Sequence, residues 1–313
     1  MPKKVALKGN NEIQAKKILF ITLSNLGDVI LTTPALEAIN IKYPNALIDI
    51  VGDKKSIDVF KYCPYVENLF IKNKDDGFTG LITLLKKLRL TDYDLAIDLR
   101  SDALLYFIKS KIKVHKLPNK KSMNLHSAEK HYYCLGGLVS NKLPDTKIWI
   151  SSKEISIAKE KIGNIKRSKI LSIGLGSRFK PKNWPVTSYA DLSNKLLKYF
   201  DVVILVGNKD DSKYADKFIE NYHGKVINCM GKYDIIETAA LIKHSDLFIG
   251  NDSGLGHIAS SVGVKTFTLF GNGEPFRYKP WGKNSEWHQD KNFEITKIKV
   301  EVIMNKIKSL LTT

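Results

Sequence analysis

The run FIGNDSGLGHIASSVGVKTFTLFG (248–271) carries an apolar, strand-like segment into Asn-Asp-Ser-Gly-Leu-Gly-His and then into small residues. Gly250, Asn251 and Gly254 supply turn chemistry after such a segment. A turn alone has no use for an Asp, a Ser and a His crowded around two glycines. That crowding suits an anion. If Ser253 and Gly254 open a helix, free backbone N–H groups and the positive end of its dipole face a phosphate. Glycines at 254 and 256 leave room for close approach, and His257, one turn in, has a hydrogen bond to give. The plainer account makes Asp252 or Ser253 an N-cap and His257 a surface residue.

Three other stretches share this character. In GLGSRFKPKNWPVTSYADL (174–192), Ser177 ends a glycine turn, and Arg178, Lys180 and Lys182 follow before Trp184. Three cations beside glycines suit a pyrophosphate; a solvated basic loop anchored by Trp184 is the ordinary alternative. Ser188-x-x-Asp191 has the form of a capping box for the next helix. In LVGNKDDSKYAD (205–216), Asp210 or Asp211 could accept hydrogen bonds from ribose hydroxyls, or cap a helix. In SNLGDVILTTPAL, Asp28 stands where a helix dipole favours its charged form, beside Gly27, which permits tight approach. It is a candidate general base, with a cap as the alternative.

All four clusters follow β-rich runs. Runs at 18–23, 46–52, 67–72 and 94–100 alternate with helical patterns such as TPALEAINIKY and GLITLLKKLRL. After Trp149 a second series begins, at 169–176, 201–207, 246–252 and 264–271. Strands alternating with helices predict α/β architecture with two doubly wound parallel sheets. Ligands of such sheets bind beyond the carboxyl ends of the strands, where the clusters stand, and two edges facing one another would form one cleft. The expected division is a flexible basic lead-in, 1–15, then domains 16–148 and 149–313, joined near 140–152. The last helical run, EVIMNKIKSLL, could pack on either domain.

A chain of 313 residues exceeds one comfortable core, in keeping with two domains. No apolar run approaches the roughly 20 residues of a membrane-spanning helix, and the N-terminus lacks a signal-peptide core. Three scattered cysteines, Cys63, Cys134 and Cys229, point to a reducing compartment, with neither a disulfide framework nor a zinc site. Fifty Lys and Arg against 32 Asp and Glu give a net charge of +18, which favours an anionic partner. Aromatics are not interleaved with the basic runs as a single-strand binder requires, so no nucleic acid is expected. Neither a P-loop nor a nucleophile elbow is present.

Taken in order, SNLGDVILTTPAL, KPKNWP, NDSGLGHIAS and LFGNGEPFRYKPWG resemble glycosyltransferase family 9, the ADP-heptose:lipopolysaccharide heptosyltransferases, from about Lys16 to Trp281. The resemblance implies a GT-B fold: two facing Rossmann-like domains with a central cleft, acceptor in the first and sugar nucleotide in the second. It implies inverting transfer of heptose from ADP-heptose to a Kdo–lipid A type acceptor, with no metal and no cofactor. The enzyme would be cytoplasmic, peripheral at the inner face of the bacterial inner membrane. By motif, Asp28 becomes the catalytic base and Lys182 meets the diphosphate. Asp252, Ser253, Gly254 and His257 surround phosphates and sugar, with Ser177 on the same donor side. Asp211, less directly Asp210, falls at the ribose and Tyr233 near the adenine.

Ser24, Asn25, Gly27 and Arg100 fall on the acceptor side, Arg100 standing where the family often has a Gln-Gly pair. LFGNGEPFRYKPWG departs from the family's Thr-Asp-Pro and Trp-Gly-Pro turns, which bears on the sugar accepted. A basic patch beside Asp28, with Arg100 in it and Lys86, Lys87 and Arg89 on a helical flank, is expected to meet an anionic glycolipid and the membrane surface. The alternatives are another nucleotide-sugar transferase acting on a protein or surface glycan, and a non-catalytic protein binding anions or nucleic acid.

Overall fold

The computed structural model describes residues 14–73, 75–100, 103–116, 124–139, 142–163 and 169–312. Of the expected lead-in only Gln14 and Ala15 fall among them, and residues 140 and 141 of the expected junction lie outside. The chain divides into two compact units, Met1–Trp149 and Ile150–Thr313.

The first unit holds β1 (Lys17–Ile21), α1 (Leu26–Ile30), α2 (Thr33–Lys42), β2 (Leu47–Gly52), β3 (Val66–Ile71), α3 (Gly77–Leu88), β4 (Tyr93–Asp98), β5 (Ser110–His115) and α4 (Ser127–Tyr133). Its sheet is parallel, in the order β3-β2-β1-β4-β5. Central strands such as KILFI are apolar on both faces because helices cover both. α3 lays Leu81, Leu84, Leu85 and Leu88 against Leu19, Ile21, Tyr93 and Ala96. The edge strand β5, SKIKVH, was not evident in the sequence; its lysines at 111 and 113 point outward and blunt the edge.

The second unit holds α5 (Ser152–Ile162), β6 (Ile170–Gly174), α6 (Val186–Leu196), β7 (Val202–Val206), α7 (Lys213–Asn221), β8 (Lys225–Asn228), α8 (Ile235–Lys243), β9 (Leu247–Asn251), α9 (Gly254–Ser261), β10 (Lys265–Phe270), α10 (Pro275–Tyr278), β11 (Ser285–Gln289) and α11 (Val300–Thr312). These strands are parallel too, in the order β11-β10-β9-β6-β7-β8. The terminal helix α11 packs on α6, with Ile303, Met304 and Ile307 joining the core of Tyr189, Leu192 and Leu196.

One expected cap is overturned. α6 begins at Val186, after Pro185, whose carbonyl accepts from the Ser188 N–H at 3.0 Å. Ser188 therefore lies inside the helix, and Asp191 faces Lys195 on its surface. Proline's fixed φ starts the helix two residues before the apparent capping box. The cysteines are unpaired, and burial pushes the thiols of Cys63 and Cys229 up to about 11. They remain protonated and serve as small apolar residues.

Each sheet reverses its winding direction once. In the first unit the chain moves outward through β1, β2 and β3, then returns to add β4 on the other side of β1. In the second it moves through β6, β7 and β8, then adds β9 beside β6. Loops diverge at such a switch point and leave a crevice beyond the carboxyl ends. The segments leaving β1 and β4 carry Asp28 and Arg100; those leaving β6 and β9 carry Lys182 and Asp252.

Candidate active site

At the β6/β9 switch point, the residue that organises the loops is Asn251. It lies inside β9, fully buried, and is not the turn residue its neighbours suggest. Its Oδ1 accepts from the Trp184 N–H and the Tyr189 hydroxyl, both at 2.9 Å, and its Nδ2 donates to the Leu175 carbonyl at 2.9 Å. One amide thereby fixes both ends of the 175–189 loop to the strand before Asp252. Gly250 also lies in the strand, where a Cβ would come within 2.8 Å of the Phe248 ring. Replacing Asn251 by Ala strands three buried backbone and hydroxyl partners. We expect it to cost about 3 kcal/mol or more, read as a lowered urea midpoint; an unchanged midpoint would show that the amide does not hold the loop.

The fixed loop presents Lys182, whose Nζ meets Asp252 Oδ2 at 2.5 Å. Ser177, buried, keeps its hydroxyl within reach of the Phe179 carbonyl at 2.9 Å and Asn183 Oδ1 at 2.6 Å, so it stabilises this loop from within. Ser253 occupies the N-cap position of α9 in extended backbone, yet no side chain caps the helix. Its Oγ is buried without a hydrogen-bond partner, and the Asp252 carboxylate is committed to Lys182. The simple capping account therefore does not hold here. The α9 N-terminus retains donors, an unsatisfied hydroxyl and an adjacent ammonium, the ingredients of an oxyanion site.

His257 is buried, so the plainer account of it as a surface residue does not hold. Gly256 is tightly packed: a Cβ there would lie 3.2 Å from Pro280 and 3.3 Å from Thr268 Oγ1. The segment after β10 closes on the same place, with Gly273 against Asp252 Oδ2 and Gln289 Nε2 donating to the carbonyls of Gly271 and Gly273 at 2.6 and 2.8 Å.

Two strands away, beyond β7, Asn208 caps the turn at Lys209–Asp211, its side chain accepting from the Asp211 N–H at 3.0 Å. Neither Asp210 nor Asp211 is the cap. Asp210 is exposed; the Asp211 carboxyl is buried against Gly176, where a Cβ would sit 2.1 Å from its Oδ1. Burial, and secondarily Asp210, pushes the Asp211 pKa up. A carboxylate so desolvated gains from any hydroxyl brought to it. Tyr233 follows β8, half-buried, with Lys161 Nζ 4.1 Å from its ring centroid. Its loop rests on the Asp211 loop through the Gly231 N–H to the Gly207 carbonyl, 2.9 Å. β7 and β9 flank β6, so the segments that carry Asp211 and Asp252 leave the sheet about 10 Å apart. They can serve different parts of one elongated ligand.

In the first unit, Ile21 and Asp98 are register partners at the ends of β1 and β4. Asp28 lies in the first turn of α1, partly exposed, and its Oδ2 accepts from Asn25 Nδ2 at 3.0 Å. Asn25 holds the N-cap position, so Asp28 is not the cap. Ser56, from the loop after β2, donates its hydroxyl to the Ser24 carbonyl at 2.9 Å and braces the segment leading to Gly27. Arg100, just past β4, donates its N–H to Asp98 Oδ1 at 2.8 Å. Lys86, Lys87 and Arg89 do not join this group. In a parallel βαβ unit the helix runs back toward the amino edge, so the end of α3 lies at the opposite edge of the sheet from Asp28.

Comparison with known proteins agrees with this arrangement. The sequence pattern of glycosyltransferase family 9 (heptosyltransferase) matches residues 138–307, more than half of the chain. Lipopolysaccharide heptosyltransferase 3 of Escherichia coli is 26% identical over 286 residues, covering 82% of this chain and 84% of that protein. The crystal structure of a family 9 glycosyltransferase from Veillonella parvula superposes with a TM-score of 0.88 at 23% identity, covering 97% and 99% of the two chains. The ADP-heptose lipopolysaccharide heptosyltransferase II of E. coli does so with a TM-score of 0.81 at 19% identity, covering 95% and 98%. These likenesses show the GT-B fold in its two parallel sheets. The chain belongs to glycosyltransferase family 9 and is a glycosyltransferase.

Proposed function

We propose that the protein transfers a heptose from ADP-heptose to an inner-core lipopolysaccharide acceptor, in one displacement with inversion. The observation that carries this reading is the uncapped N-terminus of α9, with Lys182 and the buried Ser253 hydroxyl beside it. Such a site favours the charge that builds on a departing diphosphate. The relatives' own names, a lipopolysaccharide heptosyltransferase and an ADP-heptose-dependent one, support the substrate class.

In this reading the acceptor hydroxyl oxygen bonds to the anomeric carbon while its proton passes to the Asp28 carboxylate. The bond from that carbon to the diphosphate oxygen breaks, and ADP leaves with the electron pair. Lys182 and the α9 N–H groups balance its charge, so no metal ion is assigned a role. Asp211 accepts from the ribose hydroxyls and Tyr233 lies beside the adenine. Arg100 holds an acceptor carboxylate or phosphate.

The test is a titration of ADP-heptose against UDP- and GDP-sugars and other ADP-sugars, with and without chelator. Saturable transfer from ADP-heptose, insensitive to chelator, is the expected result. Preference for a non-adenine donor would overturn the assignment, and chelator-sensitive transfer would overturn the metal-free step. A second reading, another sugar on the same scaffold, is favoured by one feature. The unusual 271–281 segment exposes Phe276, stacked edge-on against Trp287 at 5.1 Å, beside the Asp252 corner. Transfer from a different ADP-sugar in the same titration would select it.

A further inference from the structure

We propose that the outer flank of α3, with the turn at Ala103–Phe107, is a docking surface for the anionic leaflet of a lipid bilayer. α3 turns its leucines to the sheet, yet its solvent side carries Phe78, 76% exposed, and Ile82, 38% exposed. Leu90, just past its end, is 87% exposed, and Tyr106 and Phe107 are 73% and 55% exposed. Arg89 Nε donates to the Phe107 carbonyl at 3.1 Å and ties the two segments into one face. Lys86, Lys87, Arg89 and Lys109 are exposed in the same region. Asp75 and Asp76 stand at the far end of α3 and Asp92 beyond Leu90.

The mixture identifies the occupant. Exposed apolar side chains in such number mark a contact surface. The core of a protein interface is depleted of lysine, whereas here cations alternate with the apolar residues. A bilayer accommodates both, since apolar tips enter the acyl boundary while amines reach lipid phosphates. No helix among the described residues is long and apolar enough to cross a membrane; the contact proposed is one of side chains on the surface. α3 covers the sheet of the unit that carries Asp28 and Arg100, so the contact would hold that unit at the membrane surface. This deepens the glycolipid reading of the acceptor and rests on it for its purpose.

Flotation with phosphatidylcholine vesicles, with and without phosphatidylglycerol, tests it on the full chain. Binding to the anionic vesicles alone, weakened by salt, is expected. Leu90→Ser/Phe107→Ser and Lys86→Gln/Lys87→Gln/Lys109→Gln should each lower partitioning about tenfold or more, with unfolding midpoints unchanged. Undiminished binding by both variants would overturn the proposal. So would concentration-dependent self-association abolished by Leu90→Ser/Phe107→Ser, which would make the face a contact between copies. Transfer to a deacylated, soluble acceptor should be unaffected in both variants. If the wild type transfers heptose to no acceptor, the function reading fails while the vesicle result still decides the docking surface.

Discussion

Asp28→Asn should lower kcat by about two to four orders of magnitude and leave ADP affinity unchanged. The substitution keeps size and hydrogen-bonding capacity, so Asn25 retains a partner where its Nδ2 now donates to Asp28 Oδ2. Only the capacity to take a proton is lost. A structural role predicts something else. Asp28 is in the first turn of α1 with Asn25 at the N-cap, so a purely dipolar contribution is worth about 0.3–1 kcal/mol. It would appear in the unfolding midpoint and not in the rate. Single-turnover transfer beside an ADP binding isotherm separates the two. A rate within a few-fold of wild type, with a lowered midpoint, would remove Asp28 from the chemistry. Loss of ADP binding in parallel with rate would make it a structural residue instead.

How much of this was legible in the sequence depends on burial. Central strands such as KILFI and VVILV are apolar on both faces, and their shortness, β-branched content and flanking turn residues read as buried strands. β5, β8 and β11 escaped because these edge strands, SKIKVH, KVIN and SEWHQ, are short and broken up by polar residues. Their strand state comes from a neighbour's hydrogen bonds, which local sequence does not encode. The candidate site was legible at the loops where charge sits beside glycine, around Asp28, Lys182 and Asp252. Its supports were not. Asn251 looks like a turn residue because Asn often is one; only the sheet reveals an amide with three buried partners. Gly176 looks like a turn glycine, and only the fold brings the Asp211 carboxyl against it. Lys86, Lys87 and Arg89, expected on a helical flank of the patch beside Asp28, stand away from it for a topological reason, since a crossover helix ends at the edge opposite the one where it began.

Lys182→Met should lower kcat by about 10²–10³-fold and weaken ADP binding, the second large effect. The methionine preserves the aliphatic stem and removes the ammonium seated on Asp252 at the mouth of α9. Both groups are partly shielded, with 29% and 12% of their side chains exposed, so removing one also leaves Asp252 unpaired. That predicts some loss of stability regardless of catalysis. The double variant Lys182→Met/Asp252→Asn separates the contributions, since it neutralises the stranded carboxylate. If Lys182 stabilises the departing diphosphate, the double variant recovers its unfolding midpoint but neither its rate nor its ADP affinity. Recovery of rate and midpoint together would reduce Lys182 to a structural partner of Asp252. Lys182→Arg should restore ADP affinity more fully than kcat. A guanidinium keeps the charge, but its planar fork fits poorly where a compact ammonium sits on Asp252 beside the α9 N-terminus.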